Sequence, residues 1–202
     1  MASSQSHISD LPVAVASTSW ESLRVGNQDG LKSLYSLYVD EMYRYGMAVH
    51  SNSSLVKDCI QEVFINLWKY RTNLRSDVNV KQYLFKALRN KVVKEIEKEK
   101  KHYQDFAMDE YEYLLLAESS EKKMIDEHDL SLLQRKLSTG IEALPSRQRE
   151  VLRLLFFEEV SYEEVSEIMG INLRSVYTLA WKAISKLKKS IIILLFTLGL
   201  LF

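Results

Sequence analysis

The sequence predicts an all-α protein of two small helical domains joined by a linker. Only 2 Pro and 6 Gly occur among 202 residues, whereas Lys, Glu, Leu and Ser recur at helical spacing. Residues 21–100 carry 14 Lys/Arg against 10 Asp/Glu, residues 101–130 carry 3 against 9, and residues 131–202 carry 10 against 7. Two mildly basic blocks around an acidic connector favour two modules that contact an anionic partner, with chance asymmetry of a solvated surface as the alternative.

Composition excludes several classes of site. The single cysteine, Cys59, excludes an internal disulfide framework. The 4 histidines lie far apart, and none has a His or Cys at ligand spacing, so we expect no metal site. No nucleophile–base pair or phosphate loop stands out, so we expect neither a cofactor nor an enzyme. The N-terminus lacks a basic region before a long apolar run, which predicts a cytoplasmic protein.

The first domain is predicted over residues 20–100, after a Ser-rich segment, 1–19, that we expect to be disordered. A helix near Trp20 precedes a longer helix whose apolar stripe is rich in tyrosine. Ser53 or Ser54 can cap a third helix. The outer face of this helix carries a polar row that is a candidate contact surface and consists of Asp58, Gln61, Glu62 and Asn66.

A fourth helix follows the polar break TNLRSDVNV and has one apolar and one basic face. Lys and Arg can bind phosphates, an Asn amide can reach a base edge, and aromatic rings can stack on unpaired bases. The predicted nucleic-acid contacts are Tyr70, Arg71, Lys81, Tyr83, Lys86, Arg89, Asn90, Lys91 and Lys94. Burial in the core is the alternative for the two tyrosines, above all for Tyr83.

The connector is predicted over residues 101–125, and the second domain over residues 126–190. The connector is acidic and rich in tyrosine, without a capped helix before about Glu121. In the second domain Pro145 ends one helix, and Ser146 can cap the next. Two predicted helices of this domain therefore precede residues 161–184 and can pack against them.

Residues 161–184 predict a helix-turn-helix. Ser161 and Glu164 form the S-x-x-E pattern of a capping box, Gly170 suits a left-handed turn, and Asn172 can cap the second helix. The N-terminal residues of such a second helix fit the major groove of DNA. The candidate contacts are Asn172, Leu173, Arg174, Ser175, Tyr177, Thr178 and Lys182. An ordinary helical hairpin within a bundle is the alternative.

Several of these segments together resemble one family, the extracytoplasmic-function (ECF) group of sigma-70 type transcription initiation factors. DCIQEVFINLW and YLFKALRN are similar to segments of region 2, whereas LPSRQREV and the helix-turn-helix are similar to region 4. The resemblance covers roughly residues 25–190. The first domain is thus identified as region 2-like and the second as region 4-like.

The resemblance implies core RNA polymerase, promoter DNA and an anti-sigma factor as partners. Asp58, Gln61 and Glu62 would dock on the polymerase, the fourth helix would melt the minus-ten element, and residues 172–182 would read the minus-thirty-five element. A stand-alone helix-turn-helix regulator that acts without polymerase is the alternative function. The reading helix has little charge, so its independent affinity for DNA should be weak.

The chain ends in an apolar tail, residues 191–202, which is too short to cross a membrane alone. As a helix it would span about 18 Å, against a hydrocarbon core of about 30 Å. Three interpretations stay open: the tail extends the last helix, contacts a protein partner, or attaches to a membrane surface. Membrane attachment is the least favoured of the three.

Overall fold

The computed structural model describes residues 6–106 and 137–199, with side chains for residues 13–99, 101 and 137–189. All regular elements within these residues are helical, which confirms the all-α prediction. They are α1 (Ser6–Arg24), α2 (Gln28–Val49), α3 (Ser53–Lys69), the 3-10 turn Arg71–Asn73, α4 (Val80–Phe106), α5 (residues 137–142), α6 (Ser146–Leu152) with the π-helical turn Arg153–Phe157, α7 (Tyr162–Met169) and α8 (Leu173–Gly199).

The N-terminal segment is ordered into a helix, so the expected disorder of residues 1–19 is wrong from residue 6 onward. Ala16, Ser19, Trp20 and Leu23 are buried at the spacing of one helical face. A small and a polar side chain occupy two of these four positions, which is why the apolar pattern is weak in the sequence. Tertiary packing, and not local propensity, stabilises the helix.

Gly30 allows α1 and α2 to cross closely. A Cβ atom there would lie 2.5 Å from both the Ser19 carbonyl oxygen and the Leu23 amide nitrogen. Both of these are backbone atoms, which cannot move aside without shifting the helix. Glycine at this position therefore allows α1 to pack closely against α2.

Asparagine caps set the starts of α2 and α3. The side chain of Asn27 accepts the Asp29 amide, and that of Asn52 accepts the Leu55 amide. The cap of α3 is thus Asn52, and the predicted capping role of Ser53 or Ser54 is wrong. Both Asn and Ser are good caps, so composition alone could not choose between neighbours.

Helices α1–α4 form the first module and α6–α8 the second, and the two modules pack against each other. Contacts between the modules join α4 to α7 and α2 to α6. Buried apolar residues of both modules belong to one contiguous cluster. This packing places one flank of α4 against the second module.

The helix ends differ from the predicted domain limits. Helix α4 continues to Phe106, beyond the predicted limit at residue 100, and residues 107–136 lie outside the description. Helix α8 continues to Gly199, so residues 191–199 of the tail extend the last helix. Their side chains are not described, and their packing stays a prediction. Among the described residues, no helix combines the length and apolar character that crossing a membrane requires.

Candidate nucleic-acid interface

A capping box, a left-handed glycine and an asparagine cap define the helix-turn-helix of α7 and α8. The Glu164 carboxylate accepts the Ser161 amide at 2.9 Å, and the Ser161 hydroxyl accepts the Glu164 amide at 3.2 Å. Gly170 then takes a left-handed conformation with φ of 61°. The Asn172 side chain accepts the Ser175 amide at 2.8 Å and caps α8. The predicted capping box, turn and cap are all confirmed.

The start of α8 presents an open face to solvent. Asn172, Arg174, Tyr177, Thr178 and Lys182 are exposed, as predicted. Leu173 and Ser175 are only partly exposed, since the helix turns them toward the protein.

One aromatic side chain on this face was missed in the sequence. Trp181 is 69% exposed, four residues after Tyr177, whose ring stacks on Tyr162 with centroids 4.4 Å apart. The i, i+4 spacing from Tyr177 was a signal that could have found it. The open face of α8 therefore carries two aromatic rings, of Tyr177 and Trp181, beside its two cations, Arg174 and Lys182.

The polar row of α3 is exposed along its whole length. Asp58, Gln61, Glu62 and Asn66 all reach solvent, as predicted. Beside them Ile65 is 56% exposed and adds an apolar patch that was not predicted. The row thus combines acidic, amide and apolar groups, a mixture suited to a protein partner.

Lys91 ties α4 to this row. Its ammonium group pairs with Glu62 and, at 3.2 Å, with Glu95. The hydrogen bond to Glu62 raises the pKa of Lys91. Its charge is therefore already partly balanced.

A groove of about 260 Å³ lies between α3 and α4. It joins several predicted nucleic-acid contacts and is lined by Val63, Asn66, Leu67, Tyr70, Tyr83, Ala87, Asn90, Lys91 and Lys94. Tyr70 is 48% exposed and Tyr83 38% exposed, so neither ring is a core residue. Partial burial raises the pKa of Tyr83, whose ring packs edge-on against Trp20. The groove offers two aromatic rings and cationic side chains to a ligand.

Two of the predicted nucleic-acid contacts, Arg71 and Lys86, do not line the groove. Lys86 is exposed on α4. Arg71 donates to the Trp68 carbonyl at 2.8 Å and lies over the Trp68 ring at 4.2 Å, so it supports the turn after α3. A nucleic-acid role for either stays a prediction.

Lys81 and Arg89 face the second module instead of solvent. Arg89 Nε donates to Glu150 Oε1 at 2.6 Å, and Lys81 Nζ donates to the Glu158 carbonyl at 2.9 Å. Lys81 also pairs with Glu41 at 2.9 Å. The predicted free basic face of α4 is wrong on this flank, because partners 61 and 77 residues away in the chain cover it.

A tyrosine completes the contact around Glu150. Tyr45 Oη donates to Glu150 Oε1 at 2.8 Å. Burial, followed by the charge of Glu150, raises the pKa of Tyr45 well above its usual value. The hydroxyl therefore stays a neutral donor at physiological pH. Among the described residues, no cluster of His, Cys, Asp or Glu could hold a metal ion.

Comparison with known proteins covers both modules. The family model described as Sigma-70 region 2 matches residues 34–102, and that described as Sigma-70, region 4 matches residues 134–187. The chain is 24% identical over 159 residues to the ECF RNA polymerase sigma factor SigM of Bacillus subtilis (strain 168), covering 78% of this chain and 93% of the relative. It is 26% identical over 176 residues to the ECF RNA polymerase sigma factor SigW of the same strain, covering 84% and 92%.

Two solved structures share the fold. The sigma factor RpoE of Bartonella quintana, solved with the anti-sigma factor NepR, gives a TM-score of 0.60 at 18% identity and covers 79% of this chain and 95% of its own. CnrH, solved with the cytosolic domain of CnrY, gives 0.58 at 16% identity and covers 87% and 96%. Because the region 2 and region 4 matches occur in the expected order on two helical modules, this chain belongs to the sigma-70 family, and its relatives SigM and SigW are members of the ECF group.

Proposed function

We propose that this protein is a transcription initiation factor that binds core RNA polymerase and directs it to specific promoters. The observation that carries the proposal is the presence of region 2 and region 4 in one chain, with the polar row of α3 and the N-terminal half of α8 exposed. A stand-alone helix-turn-helix regulator would need no polymerase-docking row ahead of its reading helix. The protein acts by binding, as a polymerase subunit in the cytoplasm, and not as an enzyme.

The first module docks on the polymerase and melts the minus-ten element of the promoter. The row on α3 binds a complementary surface of the polymerase through Asp58, Gln61 and Asn66, with Ile65 as its apolar contact. The groove between α3 and α4 then accepts an unpaired base of the minus-ten element. Stacking on an aromatic ring contributes about 1–3 kcal/mol per base, which offsets the few kcal/mol lost on unpairing. No nucleotide hydrolysis is needed for this step.

The second module reads duplex DNA. The N-terminal half of α8 enters the major groove at the minus-thirty-five element, where Arg174 and Thr178 reach base edges and Lys182 reaches a phosphate. Tyr177 and Trp181 supply apolar surface that suits thymine methyl groups. With few cations this helix binds weakly alone, and the polymerase supplies the remaining affinity.

An anti-sigma factor is a further proposed partner. RpoE, which shares this fold, was solved with the anti-sigma factor NepR. The likeness in fold supports the same kind of control for this chain.

Transcription in vitro tests the proposal. Promoters are first selected from a random DNA library with core polymerase plus this protein, and run-off transcripts are then measured with and without it. We expect initiation at the selected promoters to depend on the protein. Equal initiation without the protein, or promoter binding that needs no polymerase, would favour the stand-alone regulator.

A further inference from the structure

The C-terminal half of α8 combines positive charge with an apolar extension. Helix α8, Leu173–Gly199, contains 5 basic residues and no acidic residue. Lys186, Lys188 and Lys189 are exposed just before the segment SIIILLFTLG, which is uncharged. A helix with apolar residues on all its sides has no face suited to water, so it requires a surface that covers it.

A groove of about 470 Å³ continues this apolar character beside α8. It lies between α5, the π-helical turn and α8, and each described residue that lines it is apolar except Lys188. Gly140 allows α5 to approach, since a Cβ atom there would lie 3.1 Å from Leu187 Cδ2. Ile184 is 43% exposed, so the groove opens to solvent.

The π-helical turn Arg153–Phe157 presents two neighbouring phenylalanines at the edge of this groove. Phe156 is 57% exposed and Phe157 is 53% exposed. The Arg153 guanidinium donates to the Glu158 carboxylate at 2.9 Å and lies over the Phe157 ring at 4.7 Å. The Glu158 amide also donates to the Arg153 carbonyl at 3.1 Å, which closes the turn. These contacts fix both rings outward, and π-helical turns of this kind are frequent at functional sites.

We propose that this face of the second module, together with the apolar end of α8, binds an anionic lipid surface. The 5 basic residues of α8 repel the same helix of a second copy but attract negatively charged headgroups. An apolar insertion and a polybasic contact together give stable attachment, whereas either signal alone is weak. Because the fold alone brings Phe156 and Phe157 beside α8, the structure gives membrane attachment more support than the sequence did.

The lipid-binding face lies far from the start of α8. Arg174 and Lys189 are separated by about 22 Å along the helix axis. From Lys189 to Gly199 the helix adds about 15 Å, half of a hydrocarbon core of about 30 Å. Attachment therefore leaves Arg174 open. The inference does not rest on the proposed function, because lipid binding requires neither polymerase nor promoter.

The first test compares charge variants of the whole chain by flotation with lipid vesicles, after circular dichroism shows folded protein. K188Q/K189Q removes two charges from the lipid-binding face, and K32Q/K57Q removes two from exposed positions of the first module. The vesicles contain phosphatidylglycerol and phosphatidylcholine in equal parts, or phosphatidylcholine alone. We expect K188Q/K189Q to bind the anionic vesicles at least about fivefold more weakly than its control. Equal binding by the two variants, or equal binding of the wild-type protein to the two vesicles, overturns the inference.

The second test locates the phenylalanine pair at the membrane. F157W and its control I65W each introduce a tryptophan at an apolar position that is 53% and 56% exposed, respectively. With anionic vesicles, we expect the fluorescence of F157W to shift to shorter wavelength and to fall at least about twofold when the acyl chains are brominated. I65W should match the wild-type protein. Vesicle binding without any change in F157W overturns the inference.

Removal of residues 190–202 separates lipid binding from self-association. Both chain lengths are measured by flotation with the anionic vesicles and by analytical ultracentrifugation without lipid. We expect a monomeric wild-type protein and at least about tenfold weaker vesicle binding by the shortened chain. Unchanged vesicle binding after removal overturns the inference. A wild-type dimer that leaves the vesicles unbound also overturns it and assigns the face to a second copy.

Discussion

The two surfaces that face nucleic acid in our proposal differ in both charge and accessibility. The open face of α8 carries Arg174 and Lys182 among neutral and aromatic side chains. Helix α4 is richer in cations, yet Lys81 and Arg89 are paired with the second module and Lys91 with Glu62 and Glu95. The more basic surface is thus the one where ion pairs within the fold already balance part of the charge, at Lys81, Arg89 and Lys91. Charge in the sequence overstates the charge available to a ligand.

The largest effect should come from destroying the open surface outright. Val176 on α8 is fully buried in the apolar cluster that both modules share, so Val176→Asp places an unpaired carboxylate in that core. We expect a loss of several kcal/mol in the free energy of unfolding of the second module, measured by thermal or urea denaturation. Ser185→Asp, at an exposed position on α8, should change it by less than about 0.5 kcal/mol. Similar stability of the two variants would contradict the observed packing of α8.

The next largest effect concerns the flank of α4 that the second module covers. Arg89→Met leaves Glu150 buried without its cation, which costs about 3–5 kcal/mol if the modules stay packed. We therefore expect the modules to separate and the radius of gyration from small-angle scattering to rise. Lys86→Met, on an exposed position of the same helix, should leave it unchanged. An unchanged radius in both variants would show that Arg89 does not hold the modules.

A smaller effect should separate the role of α3 in binding polymerase from the role of α8 in recognising promoter DNA. Asp58→Ala removes a charge from the α3 row, so we expect polymerase binding to weaken by about 1–2 kcal/mol, measured by titration with labelled protein. Arg174→Ala should leave polymerase binding intact and reduce discrimination between promoters by about 1–3 kcal/mol. The reverse pattern in the two variants would contradict the assigned roles of α3 and α8.

The smallest of the expected effects concerns the reactivity of Cys59, which should distinguish opening of the modules from unfolding of the first module. Cys59 is 2% exposed, and its pKa is raised to about 11 from 9.0, chiefly by burial. The raised pKa means that the folded state keeps the proton after the unfolded state has lost it. This contribution to stability is therefore intact below pH 9 and is lost as the pH rises toward 11.

Thiol labelling at pH 8 provides the measurement. We expect Cys59 to react slowly in the wild-type protein and equally slowly in Arg89→Met, because separation of the modules leaves the first module folded. Rapid labelling of Arg89→Met alone would mean that the variant unfolds that module, and its larger radius would then not report opening.

Much of the fold and part of the interface could be predicted from short-range patterns. The capping box of Ser161 and Glu164, the left-handed turn at Gly170 and the cap at Asn172 each depend on atoms within four residues of one another. Helical periodicity likewise placed Asp58 and Gln61 on an exposed face of α3. The same motifs supported the family prediction, which the comparisons confirm.

By itself, then, the sequence determined the helices, the helix-turn-helix and the family, because these follow from periodicity and local hydrogen bonding. Only the tertiary structure decided that α1 forms a packed helix, since Ala16 and Trp20 gain their burial from packing of α1 against α2 and α4. It also decided that Glu150 meets Arg89, which lies 61 residues before it, and Tyr45, which lies 105 residues before it. Such pairs carry no periodic signal, because their energy depends on proximity that only folding creates.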